Sequence, residues 1–322
     1  MFNSRMIQAV FDDENPETVS RWAYPDMGVW DAERNTDEFC AQLPIYRDHG
    51  LLAVTVGLQG GGSSYLPGVY EQYKMTAFNE DGSLKTPYFE RLERVLKAAD
   101  ACGVVVIVSY FYNMSLKFLR DRAAFNTAIQ SATDWLLGTG YQNVLVEVIN
   151  EAREETGPHF APDDIASHHE LVKSVTHNGR RLLVGTSAFP DNVMPTDKWL
   201  ESEDFTIPHG NNHTALELRQ KLRDLRAQPA FKKRPRPLLI NEDGTDVANL
   251  DAALYEGASW GFYHQGYGSD YLYDRFVKWD RYPRENTFGA LSGFQTLPVN
   301  WGINDPWKEA FFSHLRRVTG GA

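Results

Sequence analysis

Two stretches of this sequence end in the same way. Val144-Leu145-Val146-Glu147-Val148-Ile149-Asn150-Glu151 and Pro237-Leu238-Leu239-Ile240-Asn241-Glu242-Asp243 are apolar runs of strand length closed by Asn-Glu. A charged side chain placed directly after a buried strand is costly unless it reaches solvent or a partner. One such glutamate, taken alone, reads as a cap on the next helix or half of a surface ion pair. Two of them offer something more specific, a pair of carboxyl groups facing a common space. The chemistry that needs such a pair is glycoside hydrolysis, in which one group protonates the leaving oxygen while the other attacks the anomeric carbon or activates water.

The elements that would position the pair are legible as an alternation. Apolar runs at residues 6–11, 52–58, 104–110, 144–150, 182–187, 205–209, 238–242 and 259–264 are separated by amphipathic stretches of helix length. This is the pattern of repeated βα units around a parallel sheet. The near-continuous Val104-Val105-Val106-Ile107-Val108 suits a strand buried on both faces. Phe89, Leu92, Val95, Leu96 and Ala99 share one helix face ahead of Gly103, a C-terminal stop, and a last helix begins near Pro306. Eight strands with intervening helices, and no GxGxxG turn after Phe11, predict an α/β fold of one closed (β/α)8 TIM barrel spanning residues 1–322. On that count the two glutamates follow strands four and seven.

Long loops are expected after strands one and eight. The first is acidic and holds Trp22, Tyr24 and Trp30, and the second, residues 265–305, holds Tyr267, Tyr271, Tyr273, Trp279, Tyr282 and Trp301. Both would lie on the face where barrels build their active sites. Each of these aromatics could equally belong to a cluster that covers the barrel.

Bulk properties exclude other classes. A net charge of -11 argues against nucleic acid or an anionic membrane as partner, because a phosphate-binding surface needs clustered lysine and arginine. No uncharged apolar run approaches the ~20 residues needed to cross a bilayer, so the chain reads as soluble. Met1 to Arg5 lack the apolar segment of a signal peptide, which fits a cytoplasmic protein or one from which such a peptide has been removed. Cys40 and Cys102 are expected to stay unpaired.

The aromatic share of 13% suits a site that stacks rings on sugars, although a large core would use it too. No metal or cofactor is expected. The first strand lacks a His-x-His, the adjacent His168 and His169 point apart on a helix, and none of the eight strands carries a Schiff-base lysine. The Glu242-Asp243-Gly244-Thr245-Asp246 turn would repel phosphate.

The segments Val146-Glu147-Val148-Ile149-Asn150-Glu151 and Ile240-Asn241-Glu242-Asp243-Gly244 resemble the strand-four and strand-seven signatures of clan A retaining glycoside hydrolases, particularly the cellulase-like family 5 and its distant relatives. That resemblance implies a retaining hydrolase acting on an oligo- or polysaccharide, with Glu151 as acid/base, Asn150 as hydrogen-bond donor to the sugar 2-hydroxyl, and Glu242 as nucleophile. His209, in Pro208-His209-Gly210-Asn211, falls where the clan places a His or Tyr near the nucleophile.

The sequence departs from the family pattern at several points. Ala152 replaces the proline that commonly follows the strand-four glutamate, strand two lacks the arginine often found beside the nucleophile, strand three ends Tyr110-Phe111-Tyr112 rather than in histidine, and His264 stands near a usual stacking tryptophan. The substrate is left open by these changes. Tyr263 and His264 are expected to line the pocket, and Gln59, Tyr110 and Asn211 are added by their position after strands. Glu147 points to the same side as Glu151 and is expected in a buried network. Glu151 is expected to hold a proton at neutral pH and Glu242 to stay ionised. A carbohydrate-binding barrel without turnover and a transglycosylase using the same site are the competing readings; oligomeric state is not legible.

Overall fold

The computed structural model describes residues 1–60, 73–152, 164–188, 194–266 and 292–320, together with two short strands at Ser269–Asp270 and Arg275–Phe276. The aromatic residues Tyr267, Tyr271, Tyr273, Trp279 and Tyr282 lie outside the described residues.

A parallel sheet forms the centre. Its strands are β1 (Phe2–Arg5), β2 (Ala53–Gly57), β3 (Val105–Tyr112), β4 (Val144–Asn150), β5 (Leu183–Gly185) and β6 (Trp260–Phe262), in the order β5-β4-β3-β2-β1-β6. Two further stretches complete a ring through single parallel bridges: Ser187 pairs with Ile207, Thr206 with Leu238, and Leu239 with Ser259. Backbone hydrogen bonds from Thr206 to Pro237 (2.9 Å), from Leu239 to Thr206 (2.8 Å) and from Ser259 to Leu238 (2.9 Å) carry the same continuity. With β6 paired to β1, eight parallel positions close on themselves as a (β/α)8 barrel, and every strand's carboxyl end emerges on one face.

The barrel is filled rather than hollow. Ala53, Ile107, Phe205, Ile207 and Leu239 form a compact apolar cluster inside it, flanked by Val105 and Leu145, while a larger core lies between the sheet and the helices. Outside run α1 (Ala32–Asp48), α2 (Thr86–Cys102), α3 (Arg122–Gly138), α4 (Ile165–Ser174), α5 (Asp197–Ser202), α6 (Ala215–Ala227), α7 (Pro229–Lys233), α8 (Val247–Tyr255) and α9 (Pro306–Thr319). The buried residues of α2 include Phe89, Leu92, Val95, Leu96 and Ala99, and Gly103 ends it with φ 70°, its N–H bonded to Ala99 and Asp100. A side chain there would be strained, which is why glycine stops this helix. Asp305 caps α9 and Pro306 opens it. Cys40, within α1, and Cys102, at the end of α2, are both free.

The first strand differs from expectation. It occupies Phe2–Arg5, and Ile7–Val10, expected as strand, forms a 3-10 helix packed on the sheet. The apolar run is buried as hydrophobicity demands, but a short apolar run does not declare its own secondary structure. The polar residues ahead of it are usable in a strand because the barrel interior satisfies them: Asn3 Nδ2 donates to the carbonyls of Ile240 (2.8 Å) and Trp260 (3.0 Å). Shifting the strand by four residues puts Arg5 at its carboxyl end, beside the two Asn-Glu motifs.

Among the described residues no helix is long and apolar enough to cross a membrane.

Candidate active site

Glu151 follows β4 directly and takes a left-handed backbone conformation, φ 54°. Such a conformation in a non-glycine residue costs about 1–3 kcal/mol and persists only where the surroundings hold it. Here the extension of β5 does so. Glu151 N–H donates to Ser187 Oγ (2.9 Å), and the next amide, of Ala152, donates to Ser187 O (2.9 Å). Ser187 Oγ also lies 3.4 Å from Asn150 Oδ1, so one serine fixes both residues of the Asn-Glu pair. The Glu151 side chain is turned toward the barrel mouth and keeps 14% of its surface exposed.

Glu242 follows the Leu238–Leu239 stretch and is buried, with both carboxylate oxygens engaged. Asn211 Nδ2 donates to Oε1 at 2.7 Å, and Arg5 Nε stands 2.7 Å from Oε2. Asn211 is within reach because the chain from His209 passes tightly over the Glu242-Asp243 backbone: the Gly210 N–H donates to Glu242 O (2.9 Å), and a Cβ on Gly210 would fall 2.3 Å from Asp243 Oδ2. Asp243 is in turn held by Trp260 Nε1 (2.6 Å) and Asn249 Nδ2 (3.1 Å).

His209 sits between the two glutamates, fully buried. Its Nδ1 is 3.4 Å from Glu151 Oε1 and 3.9 Å from Glu242 Oε2, and its Nε2 is 3.1 Å from Asn241 Oδ1. An oxygen of each carboxylate and the His209 Nδ1 all lie within 4.8 Å of one another. Three such atoms could chelate a cation, but the guanidinium of Arg5 already lies against the Glu242 oxygen nearest His209, and a second positive charge there would be repelled.

Arg5 also reaches Glu147, with Nη1 3.4 Å from Oε2. Glu147 is fully buried on β4, on the same side as Glu151, so the expected network exists and Arg5 is its centre. Burial opposes ionisation of Glu147, yet Arg5, His209 and hydrogen bonds from Ser109 and Ser187 hold its pKa below the ordinary carboxylate value. The Glu242 carboxyl, expected to stay ionised, is instead pushed up: burial raises it and the charge of Glu151 adds to that, against Arg5, His209 and Asn211, which favour the anion. His209 would be lowered by burial, but Glu242, Glu151 and Glu147 carry it upward. Glu147 is thus held as the anion while Glu242 is pushed toward its neutral form, the two carboxyl groups facing different edges of one arginine.

Of the residues expected at the site, the structure brings Glu151, Glu242, Asn150, His209 and Asn211 together. Tyr263 is buried next to Arg5, whose electrostatic environment includes it, and its hydroxyl bonds Gln295 Oε1. Three others are placed elsewhere. Tyr110 points outward from β3 and bonds Thr133 Oγ1 on α3 (3.1 Å). His264 shares the outward side of β6 with Trp260 and Phe262, its ring 5.3 Å from that of Trp307 and its Nε2 3.2 Å from Asp305 Oδ2. Gln59 is buried with its amide taken up by other partners, donating to Thr76 Oγ1 (3.0 Å) while its Oε1 accepts from Tyr112 N (3.4 Å). The reason is parity: successive strand side chains alternate faces, and position after a strand does not specify the face.

The described loop aromatics pack rather than project. Trp22 is buried and donates to Asp13 Oδ2 (2.7 Å), Trp30 stacks on Tyr24 and donates to Asp12 Oδ1 (3.1 Å), and Trp301 donates to the Asn35 carbonyl (3.0 Å). His169, from the helical pair, is satisfied by Ser202 and Thr186 at 2.8 Å each.

Arg5 is the residue that sequence reasoning missed. The signal available was indirect: a carboxylate pair on strands four and seven calls for a nearby cation, strand two has no arginine, and Arg5 alternates with Asn3 in the few residues ahead of the first apolar run.

No family model matches the sequence, and no curated protein matches it. Solved structures do. A GH5-4 broad-specificity endoglucanase from Clostridium longisporum aligns with TM-score 0.58 at 10% identity, covering 98% of this chain and 96% of that one. The hyperthermostable endo-1,4-β-D-mannanase of Thermotoga petrophila aligns with TM-score 0.56 at 14% identity over 98% of each chain. A glycoside hydrolase family 5 enzyme from Prevotella bryantii aligns with TM-score 0.51 at 12% identity, covering 86% of this chain and 92% of that one. Likeness at such low identity is a statement about architecture, and the architecture of this chain is that of the (β/α)8 barrels of glycoside hydrolase family 5.

Proposed function

We propose that residues 1–322 act as one catalytic barrel, a retaining glycoside hydrolase in which Glu242 is the nucleophile and Glu151 the acid/base. The observation that carries this reading is the approach of the two carboxylates to within 4.8 Å at the carboxyl ends of two barrel strands. Double displacement uses carboxyl groups roughly 5–5.5 Å apart, whereas inversion holds them about 6.5–9.5 Å apart to admit a water between them.

In the first step a Glu242 oxygen bonds the anomeric carbon as the glycosidic C–O bond breaks, and the leaving oxygen takes the proton of Glu151. In the second, water attacks the anomeric carbon and gives a proton back to Glu151, and the bond to Glu242 breaks to regenerate its carboxylate. Asn150, fixed by Ser187 beside Glu151, is the hydrogen-bond donor to the sugar 2-hydroxyl. The buried Arg5 and Asn211 hold Glu242 in one orientation, which favours an aligned attack. His209 bridges the pair and follows their charge.

The structural neighbours include an endoglucanase and a 1,4-β-D-mannanase, so β-glucans and β-mannans, with matching aryl glycosides, are the first substrates to screen. The anomeric configuration of the first-formed product is read by proton NMR. A 2-deoxy-2-fluoro glycoside with a good leaving group should label the peptide carrying Glu242. An inverted product, or a label on another residue, would overturn the assignment.

A further inference from the structure

The double displacement proposed above imposes a charge problem on Arg5, and Glu147 is placed to solve it. Arg5 is 2% exposed and touches two carboxylates. When Glu242 forms a glycosyl ester its negative charge vanishes, and a buried guanidinium deprived of its counter-ion is costly. We infer that Glu147 is a positioning residue that serves as the standing counter-ion of Arg5, keeping that arginine neutralised and in place while Glu242 alternates between carboxylate and ester.

The geometry supports a divided role for the guanidinium. Nε faces Glu242 and Nη1 faces Glu147, so the two carboxylates occupy different edges of one planar group. Glu147 is itself fully buried on the middle of β4, where Ser109 and Ser187 also hydrogen-bond it, and it is held in its ionised form. It is fully buried and ion-paired to Arg5, with His209, Ser109 and Ser187 as its other partners, so its charge reaches Glu242 through the shared guanidinium. The other charged and titratable groups around Glu242 are Glu151 from the end of β4, His209 beside it, Tyr263 after β6, and the adjoining Asp243, with Lys221 of α6 bonded to the His209 carbonyl (2.9 Å). Only Glu147 and Glu242 are ion-paired to Arg5 among the described residues.

This assignment rests on the retaining reading and makes a prediction with opposite signs for the two chemical steps. In Glu147→Gln the amide oxygen still accepts from Arg5, but the charge that competes with Glu242 is gone. The full positive charge of Arg5 then stabilises the Glu242 carboxylate, making it a weaker nucleophile and a better leaving group. Glycosylation should slow and deglycosylation should quicken, each by about tenfold, and the pKa of Glu242 should fall by roughly one unit, as expected for removing one nearby charge. In Glu147→Ala the guanidinium also loses its anchor, so both steps should slow.

The test uses the full chain, labelled with carboxyl carbon-13 glutamate, and the 2-deoxy-2-fluoro glycosyl-enzyme. Faster reactivation of that trapped intermediate in Glu147→Gln than in the wild type, with a lowered Glu242 titration midpoint by NMR, is the expected result. Equal reactivation rates with an unmoved midpoint, or slower reactivation in both variants, would overturn the counter-ion role. Failure of the wild-type chain to form the adduct on Glu242 would instead overturn the retaining reading, so the two failures are distinguishable. Circular dichroism on each variant checks folding, and the NMR midpoint still decides the matter where turnover is too weak to follow.

Discussion

Replacing Arg5 by methionine should destabilise the protein in a manner that depends on pH, and the size of the effect follows from what surrounds the side chain. The guanidinium is 2% exposed, 2.7 Å from Glu242 and 3.4 Å from Glu147, whose side chains are 5% and 0% exposed. Methionine fills much of the volume but leaves both carboxylates without a fixed cation, and breaking a buried pair in this way costs about 3–5 kcal/mol at neutral pH. With an unfolding entropy of about 2.1 cal/mol/K per residue over 322 residues, that corresponds to a fall in Tm of roughly 4–7 °C.

The pH dependence identifies the cause. In the wild type the Glu147 pKa is depressed, so its contribution is present above the ordinary carboxylate range and is lost as pH falls through its folded value. Without Arg5, burial is opposed only by His209 and the hydrogen bonds from Ser109 and Ser187, so the Glu147 pKa rises. At Glu147 the cost of losing Arg5 then vanishes only below the depressed wild-type pKa and grows as pH rises toward the new, higher value, at about 1.4 kcal/mol per pH unit; at Glu242, already raised in the wild type, it begins at higher pH. Urea unfolding followed by tryptophan fluorescence should therefore give the full cost near pH 7.5 and a cost smaller by about 2 kcal/mol near pH 5. An equal or larger cost at pH 5 would show that lost packing, not uncompensated charge, is responsible, and would refute the electrostatic account of the site.

Three further outcomes are expected. With Glu151→Ala, an aryl glycoside whose leaving group needs no protonation should still form the glycosyl-enzyme, and azide should restore turnover to a product of retained configuration; with Glu242→Ala, any azide rescue should give an inverted product, and NMR of the two azides decides between these roles. Tyr110→Phe should cost about 1 kcal/mol of stability through the lost bond to Thr133 while leaving KM unchanged, and a several-fold rise in KM would return Tyr110 to the binding site. His264→Ala should lower Tm by removing the partner of Asp305, whose carboxyl His264 helps hold well below its usual range, with KM changed less than twofold.

The sequence by itself determined the alternation of buried strands and amphipathic helices, and with it the closed barrel. Hydrophobic periodicity is a local property, and one that long, uninterrupted runs such as Val104 to Val108 express without help from the rest of the chain. It also determined the two glutamates, because a charge at the end of a buried run is an anomaly visible in a few residues. Glu147 was legible for the same reason, being a charge in the middle of such a run.

What the sequence left undecided depended on which neighbours meet across the barrel. The first strand begins at Phe2 and not at Met6, because Asn3 and Arg5 find their partners on segments more than 140 residues away, a pairing that no local pattern encodes. Parity had the same effect at Tyr110 and His264, which sit at the ends of the expected strands but face the outer helices. A shift of one residue exchanges the two faces of a strand, and only the closed ring of hydrogen bonds fixes which face looks inward. Sequence therefore specified the two carboxylates and the strands that carry them; closure of the barrel set the distance between them and brought Arg5 from the first strand to stand beside Glu242.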